Sequence, residues 1–129
     1  MKMKISVLWL FYVVALIAYM TLAGFEPGAL QKVIEGEIDG MKITPELMLL
    51  FAILFLAPLV MAVLSLTLKD KANRWTNLIV GTVFVIIQIA ALAETVAQPS
   101  AWMILMEISK LIAPALIVWY AYKWPKQKE

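Results

Sequence analysis

Residues 101–122, from Ala101 to Tyr122, run AWMILMEISKLIAPALIVWYAY. At about 1.5 Å of rise per residue a helix of this length reaches about 33 Å, enough to cross a hydrocarbon core of about 30 Å. The stretch is apolar apart from Ser109 and two charged residues, Glu107 and Lys110. A charge at the bilayer centre costs about 2.5–3.5 kcal/mol even on the lenient insertion scale, so neither is expected to face lipid. Three residues apart on a helix, they share one face and neutralise each other. The segment is therefore a membrane helix whose polar face needs a protein surface to cover it.

Three further segments can supply that surface: Ile5 to Gly24, Leu47 to Leu68 and Trp75 to Val96. The chain is 64% hydrophobic and only 16% charged, against about a quarter charged in soluble domains, so lipid is its solvent. The connections at 69–74 and 97–100 are too short for anything but antiparallel neighbours. The expected fold is all-α: a polytopic, four-transmembrane-helix up-down-up-down bundle forming a single membrane domain, 1–129, with a short structured outer loop at 25–44. Met1-Lys2-Met3-Lys4 before an apolar run has the form of a signal-peptide start. That run is longer than the usual h-region of about 7–15 residues, so it is expected to be a retained span.

The outer loop has turn chemistry of its own. Pro27 can open a short helix with Leu30, Val33 and Ile34 on one face and Gly36 ending it. Asp39-Gly40, between Glu37-Ile38 and Met41-Lys42, is the signal for a two-residue hairpin. Thr44 is placed to cap the next span, with Pro45 at its first helical position and Glu46 near the positive end of the dipole.

Orientation follows from the basic residues, which resist translocation. Lys2, Lys4, Lys69, Lys71, Arg74, Lys123, Lys126 and Lys128 fall at one end, whereas Lys32 and Lys42 at the other are diluted by Glu26, Glu35, Glu37, Asp39 and Glu46. The expectation is a multi-pass protein of the cell (cytoplasmic) membrane, with cytoplasmic N and C termini and the 25–44 loop extracytoplasmic. Trp9, Trp75, Trp119, Tyr120, Tyr122 and Trp124 are expected as anchors at the inner interface, and Tyr19, Phe25 and Trp102 at the outer one. The net charge of +2 is accounted for by clusters facing anionic headgroups, so the expected partner is the lipid bilayer and not nucleic acid.

Much chemistry is excluded at once. With no Cys and no His there is no disulfide, thiol couple, Cys/His zinc site or histidine-ligated haem. Eight methionines are read as packing material, and no metal or cofactor is expected. No G-x-S-x-G elbow, Walker loop or H-E-x-x-H is present, and no catalytic residue is assigned.

The candidate site is polar and intramembrane. Pro114 lacks the N–H that would bond the Lys110 carbonyl, which leaves a polar gap beside the charged pair, and Pro58 is the matching kink position in span two. Gln88 should lie at nearly the same height, within a stripe of Asn77, Gly81, Gln88 and Thr95 expected to face span four. Glu94, nearer the outer mouth, is positioned to lead water or a cation inward. Two functions fit. One is a proton, ion or small polar solute transport or channel unit, built as a homo-oligomer around Glu107, Lys110, Gln88, Glu94 and Asn77. The other is a non-catalytic assembly or interaction protein, in which the Glu107/Lys110 pair is structural.

Two resemblances complete the reading. Leu56-Ala57-Pro58-Leu59 and Ile112-Ala113-Pro114-Ala115 occupy similar depths in spans of the same direction, as parallel repeats would, although proline is common in membrane helices. Ala72-Asn73-Arg74-Trp75-Thr76-Asn77, Gly81, Gln88 and the closing Val118-Trp119-Tyr120-Ala121-Tyr122-Lys123-Trp124-Pro125 resemble an uncharacterised family of small prokaryotic four-span membrane proteins, a domain of unknown function. The resemblance is closer than to the small multidrug exporters, whose first-span glutamate is missing here. It implies the topology and brings no activity.

Overall fold

Thr44-Pro45-Glu46 begins a helix in the way its residues dictate. The Thr44 hydroxyl accepts a hydrogen bond from the Leu47 N–H at 3.1 Å, Pro45 takes the first helical position, and Glu46 sits in the first turn. The computed structural model describes residues 2–38, 41–97 and 100–123. Its elements are α1 (Lys2–Gly24), α2 (Ala29–Ile34), β1 (Glu37–Ile38), β2 (Met41–Lys42), α3 (Pro45–Thr67), α4 (Asp70–Ala97) and α5 (Ala101–Tyr122). Helices α1, α3, α4 and α5 are each long and apolar enough to cross a membrane. The chain is an all-α bundle of four such helices, with a short structured segment between the first two.

The helices outrun the apolar stretches that define them. Helix α4 begins at Asp70 instead of Trp75, so the connection from α3 shrinks to Leu68 and Lys69. The physical reason is local: Asp70 sits in the first turn, where a negative charge suits the helix dipole, and the Asn73 N–H already bonds the Lys69 carbonyl at 2.7 Å. The Asn73 side chain also reaches back to the Ser65 carbonyl at 2.7 Å, satisfying a group that the end of α3 would otherwise orphan.

Between α1 and α3, Gly28 and Gly36 bracket α2 with φ of 84° and 88°. Such positive φ ends helical geometry cheaply only at glycine, which is why α2 starts at Ala29 and not at Pro27. The register Glu37↔Lys42 and Ile38↔Met41 leaves two residues for the turn, as Asp39-Gly40 requires; those two lie outside the described residues.

Helix α4 packs most extensively on α5, α1 lies against both α3 and α5, and α3 touches α4 only lightly. Large side chains fill the α1–α4 diagonal: Trp9, Tyr12 and Phe84 meet edge to face, with centroids 5.3–6.5 Å apart. Around them Ile5, Met61, Ala62, Ala113, Ile117 and Ala121 complete the core. The α4–α5 approach is tightest at Gly81, where a Cβ would fall 2.9 Å from Val118 Cγ2. In lipid, small residues at such contacts let backbones approach.

Both prolines are buried inside continuous helices, Pro58 in α3 and Pro114 in α5. Every buried residue of α3 lies at or beyond Pro58, so its first half has no fully buried side chain. The two halves of the chain do not pack as equivalents: α1 lies on α5, while α3 barely meets α4.

Lys4 lies over the Tyr120 ring at 5.7 Å, and Arg74 donates to the Ala121 and Tyr122 carbonyls at 3.1 and 3.4 Å. The beginning of α1, the beginning of α4 and the end of α5 therefore share one end of the bundle, the terminal end. Helix α2 and the hairpin stand at the other, the α2 end.

Candidate functional site

The buried polar side chains fall into two clusters separated by the aromatic layer of Trp9, Tyr12 and Phe84. The cluster nearer the terminal end is closed. Asn77 Oδ1 accepts from Trp9 Nε1 at 2.8 Å and from Ser65 Oγ at 3.3 Å, and Asn77 Nδ2 donates to the Asn73 carbonyl and side-chain oxygen. Ser6 Oγ donates to the Ala62 carbonyl at 2.9 Å. Each side-chain group of Asn77 is used, so this cluster ties α1, α3 and α4 together and has no free valence for a ligand.

The cluster nearer the α2 end is different. Glu107 and Lys110 turn inward, 3% and 4% exposed, with Lys110 Nζ 3.3 Å from Glu107 Oε1. The lysine stem runs back toward the start of α5, as helical side chains do, and its ammonium lies 3.8 Å from the centroid of the Tyr19 ring. Across the bundle Gln88 Nε2 donates to the Tyr12 hydroxyl at 2.6 Å. Among the described residues Gln88 Oε1 is a buried side-chain oxygen without a partner, and Glu107 Oε1 is met only by the Lys110 ammonium at 3.3 Å. Such groups cost about 1–3 kcal/mol each when unsatisfied, and more if charged.

Beyond Tyr19 lies a cavity of about 410 Å³ under α2 and the hairpin. Tyr19, Glu26, Lys32, Val33, Glu37 and Met103 are among its walls. Trp102 closes one side of this region, its ring 5.5 Å from that of Tyr19 and its Nε1 donating to Glu26 Oε1 at 3.1 Å.

Of the residues expected at the site, Glu107, Lys110 and Gln88 are all buried in the bundle. Asn77 is given to the other cluster, eleven residues or about 16 Å along α4 from Gln88. Glu94 sits on an exposed face of α4 and is not brought to the pair. Asn77, Gly81 and Gln88 of the stripe face the interior, whereas Thr95 is only partly buried and bonds within its own helix; Gly81 meets α5, and Asn77 and Gln88 bond to α1. Interfacial anchoring fails for Trp9, which is fully buried, because its indole N–H has a better partner in Asn77 than in water. Trp75, Trp119 and Tyr122 are exposed, with Arg74 and Lys123 beside the two indoles, and Trp124 lies outside the described residues.

Sequence reasoning missed Tyr12, Tyr19, Ser65 and Asn73 as members of these clusters. Two signals were available: Tyr12 and Tyr19 are seven apart, and Asn73 and Asn77 four apart, spacings that stack side chains on one helix face.

The profile of a family described as a family of unknown function (DUF6326) matches residues 1–129. The chain belongs to that family. Comparison with curated proteins and with solved structures finds no match. Membership of DUF6326 thus covers every element described above and assigns none of them a reaction. The role of the buried cluster has to be argued from its own chemistry.

Proposed function

We propose that the chain is a transport or channel unit of the cell membrane that takes a proton or a small polar solute carrying hydrogen-bond donors at the Glu107–Lys110–Gln88 cluster. The observation that carries this is the orphaned, buried Gln88 Oε1 beside a carboxylate whose Oε1 has no hydrogen bond beyond its 3.3 Å contact with Lys110. Both oxygens are acceptors with room for a further donor. A proton on Glu107, a water, or a solute N–H or O–H supplies one. Lys110 provides the counter-charge that makes an ionised Glu107 tolerable at this depth, and Gln88, held by Tyr12, orients the occupant.

The competing reading, an assembly protein with a purely structural ion pair, draws support from the closed 3.3 Å contact. It leaves the buried Gln88 Oε1 unexplained. Four helices with one polar cluster open to a ligand enclose little space, so the proposed unit is a homo-oligomer. Its termini lie on the cytoplasmic side, on the argument of basic residues at the terminal end.

The test uses the whole chain in dye-loaded proteoliposomes under a proton gradient and, separately, a gradient of radiolabelled methylammonium. Wild-type protein is expected to dissipate at least one gradient faster than empty vesicles, and Glu107→Gln to abolish this both alone and together with Lys110→Met, the double variant inserting and assembling normally because no unpaired buried charge remains. Wild-type rates equal to those of empty vesicles in both assays overturn the proposal.

A further inference from the structure

We infer that the cavity under α2 is the vestibule of the buried cluster, that Tyr19 is the partition between them, and that the vestibule takes a small protonated amine with a short apolar body. The second part rests on the reading of the buried cluster as a binding site. The amine-binding part stands on the cavity itself.

Tyr19 belongs to both spaces. Its ring lines the cavity and also lies against the Lys110 ammonium at 3.8 Å. Tyr19 therefore lies between an open space of about 410 Å³ and an ion pair that is about 4% exposed, with Met103, one turn before Glu107 on α5, beside it. The position of this partition is fixed from outside: Trp102 packs on Tyr19 and is itself held by Glu26, a cavity residue. On the opposite side of the cluster Trp9, Tyr12 and Phe84 interlock over Ile5 and Ile117. That layer seals the route toward the terminal end, so access is one-sided.

The occupant follows from the walls. A ligand pocket of about 300–1,000 Å³ is ordinarily apolar with a few placed polar groups. This one has Met20, Ala23, Val33, Ile38 and Met103 for an apolar body and carboxylates from Glu26 and Glu37 for a head group. Among the described residues Lys32 is the one basic residue lining it, against two acids. Among the same residues no ion pair takes up Glu37, and Glu26 is engaged through one oxygen by Trp102. An ammonium donates to carboxylates here, and the orphaned Gln88 Oε1 behind Tyr19 also calls for a donor. An anion of the same size would meet two like charges against the single cation of Lys32.

The chain contains no cysteine, so single thiols can be placed without removing any. With the full chain in phosphatidylcholine nanodiscs, Met103→Cys reports on the vestibule through its reaction rate with a charged, membrane-impermeant thiol reagent. Hexylammonium is expected to slow that reaction about tenfold at saturation, hexanoate to leave it unchanged, and Glu26→Gln with Glu37→Gln to remove the protection. Equal protection by hexanoate, or none by hexylammonium, overturns the amine assignment.

For the partition, Lys110→Cys is made together with Glu107→Gln, which leaves no unpaired buried charge. Adding Tyr19→Ala should raise its labelling rate about tenfold or more, while Ala121→Cys at the terminal end stays slow in the same background. Acceleration at both positions means that the bundle has loosened, and acceleration at neither means that Tyr19 is no barrier; each overturns the partition. Because these readouts need no flux, their failure is distinguishable from failure of the transport reading.

Discussion

Glu107 and Lys110 lie where a lone charge is hardest to accommodate, and each is the other's counter-charge at 3.3 Å. Removing one leaves its partner buried and uncompensated, a loss of about 3–5 kcal/mol in buried pairs, whereas replacing both with apolar residues is often neutral. Thermal unfolding in detergent of Glu107→Gln, Lys110→Met and the double variant should show this: each single change lowers the midpoint, and the double change restores most of it. Additive losses would mean that the two side chains do not act as a pair. At the closed cluster, Trp9→Phe keeps the ring contacts with Tyr12 and Phe84 but deletes the 2.8 Å bond to Asn77. Such bonds inside membranes are worth about 0.6 kcal/mol on average and about 1.7 at most, so a small loss of stability with unchanged flux is expected. A flux defect in Trp9→Phe would assign that cluster more than a structural role.

Among the elements, the α4–α5 contact depends on the absence of a side chain at one position. A methyl added at Gly81 would fall 2.9 Å from Val118 Cγ2 and 3.4 Å from Ile117 Cγ2, and both neighbours are β-branched with little rotamer freedom. Gly81→Ala is therefore expected to cost about 1–3 kcal/mol through overpacking, and Gly81→Leu more, measured as loss of the folded fraction in a denaturant series. An unchanged stability in Gly81→Ala would place the helices further apart than described. Helix α3 makes the opposite case. Its start rests on the Thr44 cap, so Thr44→Ala should lower stability by about 1 kcal/mol, read by hydrogen exchange in the first turn of α3. Its first half has no fully buried side chain to compensate, and exchange there should be faster than in α5.

On the scale of the whole molecule the bundle is unequal along its length. The terminal end is tied by Asn73, Asn77, Ser65 and Trp9 and rimmed by Lys4, Arg74 and Lys123 beside aromatic rings. The α2 end holds the cavity and the open-valence cluster. The Lys2–Asp70 contact at 3.5 Å is partly exposed and adds little to either. With basic residues concentrated at the terminal end, single cysteines in place of Glu35 and Lys123 should react with an impermeant thiol reagent from opposite sides of intact cells, Glu35→Cys from outside. Labelling of both from one side would contradict the bundle, and labelling of Lys123→Cys from outside would reverse its proposed orientation.

What sequence alone determined was whatever depends on neighbours along the chain. The four long helices, the Thr44 cap, the Gly36 end of α2, the hairpin register and the Glu107–Lys110 pairing are all set by solvent preference or by residues within a turn of one another. Tertiary structure alone decided which polar side chains meet across the bundle: that Asn77 serves Trp9 and not Lys110, that Glu94 faces away, and that Tyr19 stands between a cavity and a buried charge. A span's hydropathy fixes its depth but hardly its rotation, since lipid accepts any apolar face equally. Rotation was settled by the few hydrogen bonds and close contacts that only neighbouring helices provide.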